Sequence, residues 1–449
     1  MKVLLISTNT LQQPYPTYPL GLDYVMNAIS PPHRVSCIDM NEVKESEAVA
    51  ALLADLRPDV IGISIRNIDN TDDTRTETFI GKISALIDAI RRHSRGVIVL
   101  GGSGFTILPA EFMARLDADF GIIGEGERFP LLLQALERQE SVSGLPGVVI
   151  GKGPAVFPEP LPASFRRGVI PDHSYRSFYL KRGGMLNLQT KRGCPFHCIY
   201  CTYPHIEGRR LRFVEPADVG QTARMLQDAG AKYLYITDSI FNSHYAHSLD
   251  VALAFKKAGL SIPWGGFFTP TAPPPDYYRI LADTGLTHVE FGTESLADST
   301  LIAYGKPFLT EDVFTSHRLA GAAGLHVAHY LMVGGPGENQ DTLEETLTRT
   351  GKLDKTVFFV FAGIRIYPHT ALHTLAWQTG QIKDGADLME PTFYWAPGLH
   401  RETVLNRIKE HAATRENWVV GAGTPGMHRM MSRLYARGHV GPLWEHLVR

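Results

Sequence analysis

Short apolar runs alternate with stretches of helical period along most of the chain. In the N-terminal third they are Val3–Ser7, Arg34–Ile38, Val60–Ile65, Val97–Leu100 and Phe120–Ile123. From about residue 186 they recur at 186–190, 232–237, 264–268, 287–292, 326–333 and 357–366. Strands separated by helices predict right-handed βαβ units and parallel sheets. The expected fold is α/β in two units: a doubly wound, flavodoxin-like sheet over residues 1–140 and a partial (β/α)6 barrel over 186–372. Between them, 141–185 reads as a linker. A Gly/Pro-bounded apolar pair there, Gly147–Ile150 and Ala155–Phe157, predicts a hairpin, and Pro158, Pro160, Pro162 and Pro171 follow. Residues 373–449 break the barrel repeat and carry Trp377, Trp395, Trp418 and Trp444. Such a C-terminal region suits packing against the barrel or closing a pocket on its open side.

In both architectures ligands gather at the carboxyl ends of the strands. In the first unit those ends carry Ser7-Thr8-Asn9, Ser64-Ile65-Arg66-Asn67, Gly101-Gly102-Ser103-Gly104 and Gly124-Glu125-Gly126-Glu127. The glycine loop lacks the GxGxxG spacing, so a nicotinamide dinucleotide fits poorly, and glycines that serve turns alone are the plain alternative. Bulk properties narrow the field further. The chain has 44 Lys and Arg against 46 Asp and Glu, a net charge of −2, which argues against a nucleic-acid partner. No apolar run approaches the ~18–20 residues of a membrane span. The start, Met-Lys-Val-Leu-Leu-Ile-Ser, has too short an apolar core for a signal peptide, and a reduced, cytoplasmic setting is expected. Cys37, near a predicted strand end, reads as a small buried hydrophobe. Asp384, Asp387 and Glu390 could meet a substrate amine, with a solvated surface as the default.

The other three cysteines are packed as Cys194-Pro195-Phe196-His197-Cys198-Ile199-Tyr200-Cys201, spaced CxxxCxxC. Three clustered thiols cannot all pair among themselves, which argues against a disulfide framework. Zinc is a rival, because His197 or His205 could complete a Cys3His set. Structural zinc sites, however, divide their ligands between two separated pairs, and this chain has no second cysteine pair. Three thiolates can instead hold three corners of a [4Fe–4S] cube and leave the fourth iron open to a small molecule. Gly193 would let the backbone approach that cluster.

The cysteine motif resembles that of the radical S-adenosylmethionine (SAM) enzymes, and the likeness extends over roughly residues 185–372. Tyr200 stands where the family has an aromatic on the adenine. Asp238 lies in the segment Tyr235–Asn242, whose polar end faces the cofactor in the family. Gly292-Thr293-Glu294-Ser295 matches a GxES strand end, and Met332–Glu338, with Gly334 and Gly335, matches a GxPGE turn. Arg365-Ile366-Tyr367-Pro368-His369-Thr370 follows the sixth strand, with His369 where the family has glycine. Each alone is weak, a turn or a helix cap; their order behind the cysteines carries the likeness. It implies a [4Fe–4S] cluster on Cys194, Cys198 and Cys201. It also implies SAM held by Tyr200, Asp238, Glu294, Ser295, Gly334, Gly335 and Arg365, and an electron donor such as flavodoxin or ferredoxin.

The first unit resembles the cobalamin-binding domain that precedes the barrel in one large subclass. Ser64 ends the third strand, Gly101-Gly102 the fourth, and Gly124–Glu127 supplies a GEGE segment after the fifth. The D-x-H-x-x-G motif is absent, since Asn9 to Tyr18 contain no histidine. Many members of the subclass lack it and hold base-off cobalamin without a protein axial ligand. The resemblance implies cobalamin contacts from Ser64, Arg66, Asn67, Gly101, Gly102, Ser103, Glu125 and Glu127. Arg66 could lie under the cobalt, as in the tryptophan methylase type, or pair with Asp69. The activity implied is methyl transfer to a small molecule in natural-product biosynthesis. Aminocarboxypropyl transfer or a radical rearrangement with the same cofactors, and a non-catalytic zinc-binding scaffold, are the alternatives.

Overall fold

The computed structural model describes residues 1–12, 15–162 and 176–448. Pro171 and part of the expected linker lie outside them. Strands β1 (Lys2–Ser7), β2 (Arg34–Asp39), β3 (Val60–Ser64), β4 (Val97–Gly101), β5 (Phe120–Ile122) and β6 (Val148–Ile150) form one sheet in the order β2-β1-β3-β4-β5-β6. The first five are parallel, in the flavodoxin-like order, with the switch point between β1 and β3. The expected hairpin does not form. Val148–Ile150 is a strand, but it pairs antiparallel with β5, Gly121 opposite Val149, and 155–157 carries no strand. A sheet edge offers that segment more than an isolated two-stranded ribbon could, because such ribbons are marginal in water.

The second unit contains β7 (Met185–Leu188), the short pair β8 (Lys191–Arg192) and β9 (Arg212–Phe213), then β10 (Tyr233–Ile236), β11 (Trp264–Phe268), β12 (Leu286–Glu294), β13 (His326–Val333) and β14 (Thr356–Ala362). A second short pair, β15 (Ile364–Arg365) and β16 (Phe393–Tyr394), precedes β17 (Trp418–Val420). The main sheet is an open parallel one, ordered β17-β14-β13-β12-β11-β10-β7. The six expected strands are all present. A seventh, β17, comes from the C-terminal region and pairs with β14, Phe359 opposite Val419. That region therefore extends the barrel rather than only covering it. Its tryptophans divide accordingly: Trp418 and Trp444 are buried, whereas Trp377 is 53 % exposed.

The units share their cores. Along β1, Val3 and Leu5 enter one apolar cluster and Leu4 and Ile6 another, as strand alternation requires. The first cluster continues into the barrel through Leu186, Leu234 and Val289, the second through Tyr304, Ile364 and Ile366. Asp387 and Glu390 face Arg115 of the first unit rather than a substrate site. Cys37 is half-buried against the first cluster. Among the described residues no helix is long and apolar enough to cross a membrane.

On the outer face of the barrel, His329 is fully buried between Thr293 Oγ1, 2.7 Å from Nδ1, and His317 Nδ1, 3.0 Å from Nε2. Burial holds His329 well below the ordinary histidine value and lowers His317 as well. The unfolded chain takes up these protons near pH 6.5. Their contribution to stability is therefore complete above about pH 6.5 and is lost as the pH falls toward the depressed folded values. Each histidine contributes a slope of up to ~1.4 kcal/mol per pH unit. Urea midpoints at pH 7.5 and 5.5 are expected to show this loss, and His329→Phe is expected to flatten it.

Candidate active site between the two sheets

The carboxyl ends of both sheets face a common cavity of about 540 Å³. From the first sheet it is lined by Ser64, Arg66, Asn67, Gly101, Gly102, Ser103, Glu125 and Glu127, all expected there from the sequence. From the barrel come Asn187, Gln189 and Thr237, together with Thr202, Tyr203 and Ile206 just after the cysteine loop. The cavity floor is cut close to the backbone. Gly102 has φ +101°, and a Cβ there would lie 2.5 Å from the Ile65 carbonyl oxygen. Gly102→Ala is therefore expected to cost ~1–3 kcal/mol of stability through backbone strain and to weaken cofactor retention. Gly101→Ala, whose nearest neighbour would be Ile122 O at 3.7 Å, serves as the control for the stability loss alone.

Asn9 also lines the cavity, and its Nδ2 is buried with no hydrogen-bond partner. Buried donors are normally paired, so this one is available to a ligand. A large, close-fitting ligand with polar edges, as cobalamin has, fits this floor. Arg66 is exposed, and its Nη1 reaches Asn67 Oδ1 at 3.4 Å. The alternative pairing of Arg66 with Asp69 is not made, because Asp69 holds Arg365 instead.

Two buried ionic clasps fix the gap between the sheets. On one side Arg192, two residues before Cys194, donates to Glu125 Oε1 at 2.7 Å and to Glu127 Oε1 at 2.5 Å. Arg212 also binds Glu125. Burial alone would raise the Glu125 carboxyl, but Arg192 and Arg212 hold it below its ordinary range. The two glutamates of the GEGE segment thus border the cavity while their charge is committed to the cysteine loop. On the other side Arg365 Nε donates to Asp69 Oδ2 at 2.8 Å, the two side chains being 3 % and 0 % exposed. The remaining guanidinium donors go to the carbonyls of Ile366, Leu388 and Thr392. Arg365 therefore commits its charge to an anchor between the two units. The same loop reaches the barrel again through Asp73 to Arg401 and Asp72 to the Ala422 amide.

The cysteine loop follows β8. Gly193 has φ +91°, and a Cβ there would meet the Arg210 carbonyl oxygen at 2.3 Å, so the chain's own packing demands the glycine. The Gly193 amide donates to Glu207 Oε2 at 3.1 Å, and Ser239 Oγ donates to the Gly193 carbonyl at 3.1 Å. All three cysteines are free; burial raises the Cys194 thiol and pushes Cys201 up to about 12. Such thiols stay neutral until a metal replaces their protons, so loading is coupled to proton release. A cubane takes each thiolate on a different iron, and three free thiols on one loop suit it.

Beside the cysteines lies a group only half legible in the sequence. Glu294 sits at a register shift in β12 with φ +64°, a strained position that re-aims its side chain. Its Oε1 accepts from Tyr200 Oη at 3.0 Å and from Lys306 Nζ at 3.1 Å. Lys306, buried and unforeseen, would be lowered by burial, but Glu294 and the neighbouring cysteines hold it above its ordinary value. Other expected SAM residues are committed elsewhere. Asp238 is buried and takes Lys191 Nζ at 2.6 Å and both the amide and hydroxyl of Thr190. Ser295 Oγ bonds Thr346 and accepts the Ala297 amide, closing a turn. At Gly334 and Gly335 a Cβ would strike Trp395, at 2.8 Å, and Tyr304 and Ile364, at 2.4 Å, so those glycines serve the barrel's own packing.

Residues 7–133 match the B12 binding domain family model and residues 188–349 the radical SAM superfamily model. An uncharacterized methyltransferase of Pyrococcus horikoshii is 25% identical over 375 residues, 80% of this chain and 79% of that protein. The tryptophan 2-C-methyltransferase of Streptomyces laurentii is 23% identical over 388 residues, 70% of this chain and 64% of that protein. The structure of the radical SAM methyltransferase TsrM from Kitasatospora setae, with cobalamin and [4Fe–4S] cluster bound, superposes with a TM-score of 0.87. It is 22% identical, and the match covers 99% of this chain and 97% of that one. The fold is thus shared along the whole length. With both domain models matched in the order the two sheets display, the chain belongs to the radical SAM enzymes that carry an N-terminal B12-binding domain.

Proposed function

We propose that the chain is a cobalamin-dependent radical SAM methyltransferase acting on a small organic molecule. The observation that carries the reading is the shared cavity: the ligand-binding edges of both sheets open into it, and the segment following the cysteines forms part of its wall. In use, the cluster and cobalamin supply the electron and methyl-carrying chemistry that side chains lack. The chain's own work is holding and aligning. Cys194, Cys198 and Cys201 would hold the cluster. Tyr200, Glu294 and Lys306 would orient SAM, the carboxylate and ammonium suiting its charged amino-acid end. Ser64, Gly101, Gly102 and Ser103 would seat cobalamin, with Arg66 as a cation in the same wall. A guanidinium there stays protonated and cannot ligate the metal. The two clasps would keep donor and acceptor at one separation, which is catalysis by positioning. A reductant of the flavodoxin or ferredoxin kind would reset the cofactors.

SAM products formed by anaerobically loaded enzyme test this. S-adenosylhomocysteine is the expected product. Methylthioadenosine alone would mean aminocarboxypropyl transfer, and 5′-deoxyadenosine alone a radical rearrangement; either would overturn the reading.

A further inference from the structure

Inside the barrel, next to the shared cavity, a carboxylate takes its direct hydrogen bonds from neutral donors, with His288 as the nearby titratable group that acts on it. Glu290 lies in the middle of β12 with 0 % exposure. Its Oε1 accepts from Trp444 Nε1 at 3.0 Å and from Tyr15 Oη at 3.4 Å, and its Oε2 accepts from Tyr330 Oη at 2.8 Å. Burial raises this carboxyl above its ordinary value. Beside it the Tyr235 hydroxyl is also buried; it lies toward Glu290 and Tyr15 but forms no hydrogen bond of good geometry with either. A buried carboxylate with no cation in direct contact and a buried hydroxyl without a well-formed hydrogen bond are both costly.

The walls around this pair are aromatic. Tyr15 and Tyr235 have ring centroids 5.5 Å apart, Tyr235 and Phe267 5.6 Å, and Phe267 and Tyr330 5.8 Å. Aromatic faces combined with a carboxylate suit an organic cation, whose charge the rings also attract. An ammonium group has three donors, enough for Glu290 and Tyr235 together.

The site adjoins the cavity. Tyr235 stands opposite Asn187 in the β10–β7 register, and Asn187 is a cavity wall. Tyr15 comes from the first unit, in the connection after β1 that also places Thr17 and Tyr18 in the cavity wall. Tyr15 makes the longest of the three bonds to Glu290, so it is the group most readily displaced.

We propose that Glu290 and Tyr235 form the recognition site for the ammonium group of an amine substrate with an apolar or aromatic body, and that the Tyr15 phenol keeps its place in the free enzyme. The proposal rests on the reading of the chain as a small-molecule methyltransferase, because it assigns the methyl acceptor. The test is calorimetric titration of enzyme loaded with cluster and cobalamin, using phenethylamine and its uncharged counterpart 2-phenylethanol. The amine is expected to bind at least about tenfold more tightly. Glu290→Gln is expected to erase that preference, and Tyr15→Phe, which removes the competing hydroxyl, to strengthen amine binding severalfold. Equal binding of the two probes, a preference that survives Glu290→Gln, or no amine binding by either the unaltered enzyme or Tyr15→Phe would overturn it. Should Glu290→Gln not fold, Tyr15→Phe decides: unchanged or weaker amine binding overturns the assignment. The titration involves no turnover. An amine preference without S-adenosylhomocysteine formation would support this site while overturning the methyl-transfer reading, and the reverse pattern would overturn the site alone.

Discussion

A Cys198→Ala variant is expected to fold normally and to lose the iron–sulfur cluster, and with it SAM turnover by at least ~10³-fold. The thiol is only half-buried, on a loop whose conformation is set by other bonds: Cys194 N to Gly208 O, Cys201 N to Cys198 O, and Ile199 N to Tyr304 O. Removing one sulfur atom therefore leaves the urea midpoint nearly unchanged. The cluster has no such redundancy. With one iron already lacking a protein ligand, two remaining thiolates cannot hold a cube against loss of iron. The expected iron content falls from about four atoms per chain toward none, while cobalamin binding, which uses the other sheet, persists. Iron assay and absorption spectra check the first part, and a cobalt count checks the second. Retention of a full cluster would show that the ligand set is misassigned.

The second large effect concerns the clasp between Asp69, at the cavity wall, and Arg365. Asp69→Ala is expected to destabilise the protein by about 3–5 kcal/mol, because it leaves the Arg365 guanidinium buried without its carboxylate. A paired replacement, Asp69→Leu with Arg365→Met, is expected to recover most of that loss, since well-packed apolar side chains often substitute for a buried ion pair. The paired variant separates stability from positioning. The loop that ends in Asp69 begins with Arg66 and Asn67, both in the cavity wall. Loosening it is therefore expected to reduce cobalamin retention even where stability returns. Urea unfolding and cobalt counts on the same samples check both parts; a loss below about 1 kcal/mol for Asp69→Ala would mean the clasp is not structural.

The strands were legible because most are short, largely apolar runs between helices, and the cysteine spacing was legible because three thiols in one short segment have few chemical uses. What the sequence could not show is which charges are already paired, because the partners are remote in sequence. Arg365 gives its charge to Asp69, 296 residues away. Glu125 and Glu127 line the cavity as the sequence suggested, but their pairing with Arg192 was not readable from it. Asp238 has its partner next to the preceding strand, in Lys191. Arg192 and Lys306 went unassigned although each had a local sign, a charged residue directly beside a glycine in or near a family motif. β17 was missed because Trp418–Val420 is too short a run to announce a strand without an open sheet edge beside it. The 148–150 segment was recognised as extended, but its pairing was decided by the edge of β5.

The central claim, two cofactors in one interdomain cavity, is tested most directly by anaerobic reconstitution with iron, sulfide and hydroxocobalamin, followed by metal counts on the re-purified protein. The account predicts about four iron atoms and about one cobalt per chain, with Gly102→Ala reducing the cobalt and sparing the iron. A full cluster with no retained cobalamin, or zinc in place of iron, would contradict it.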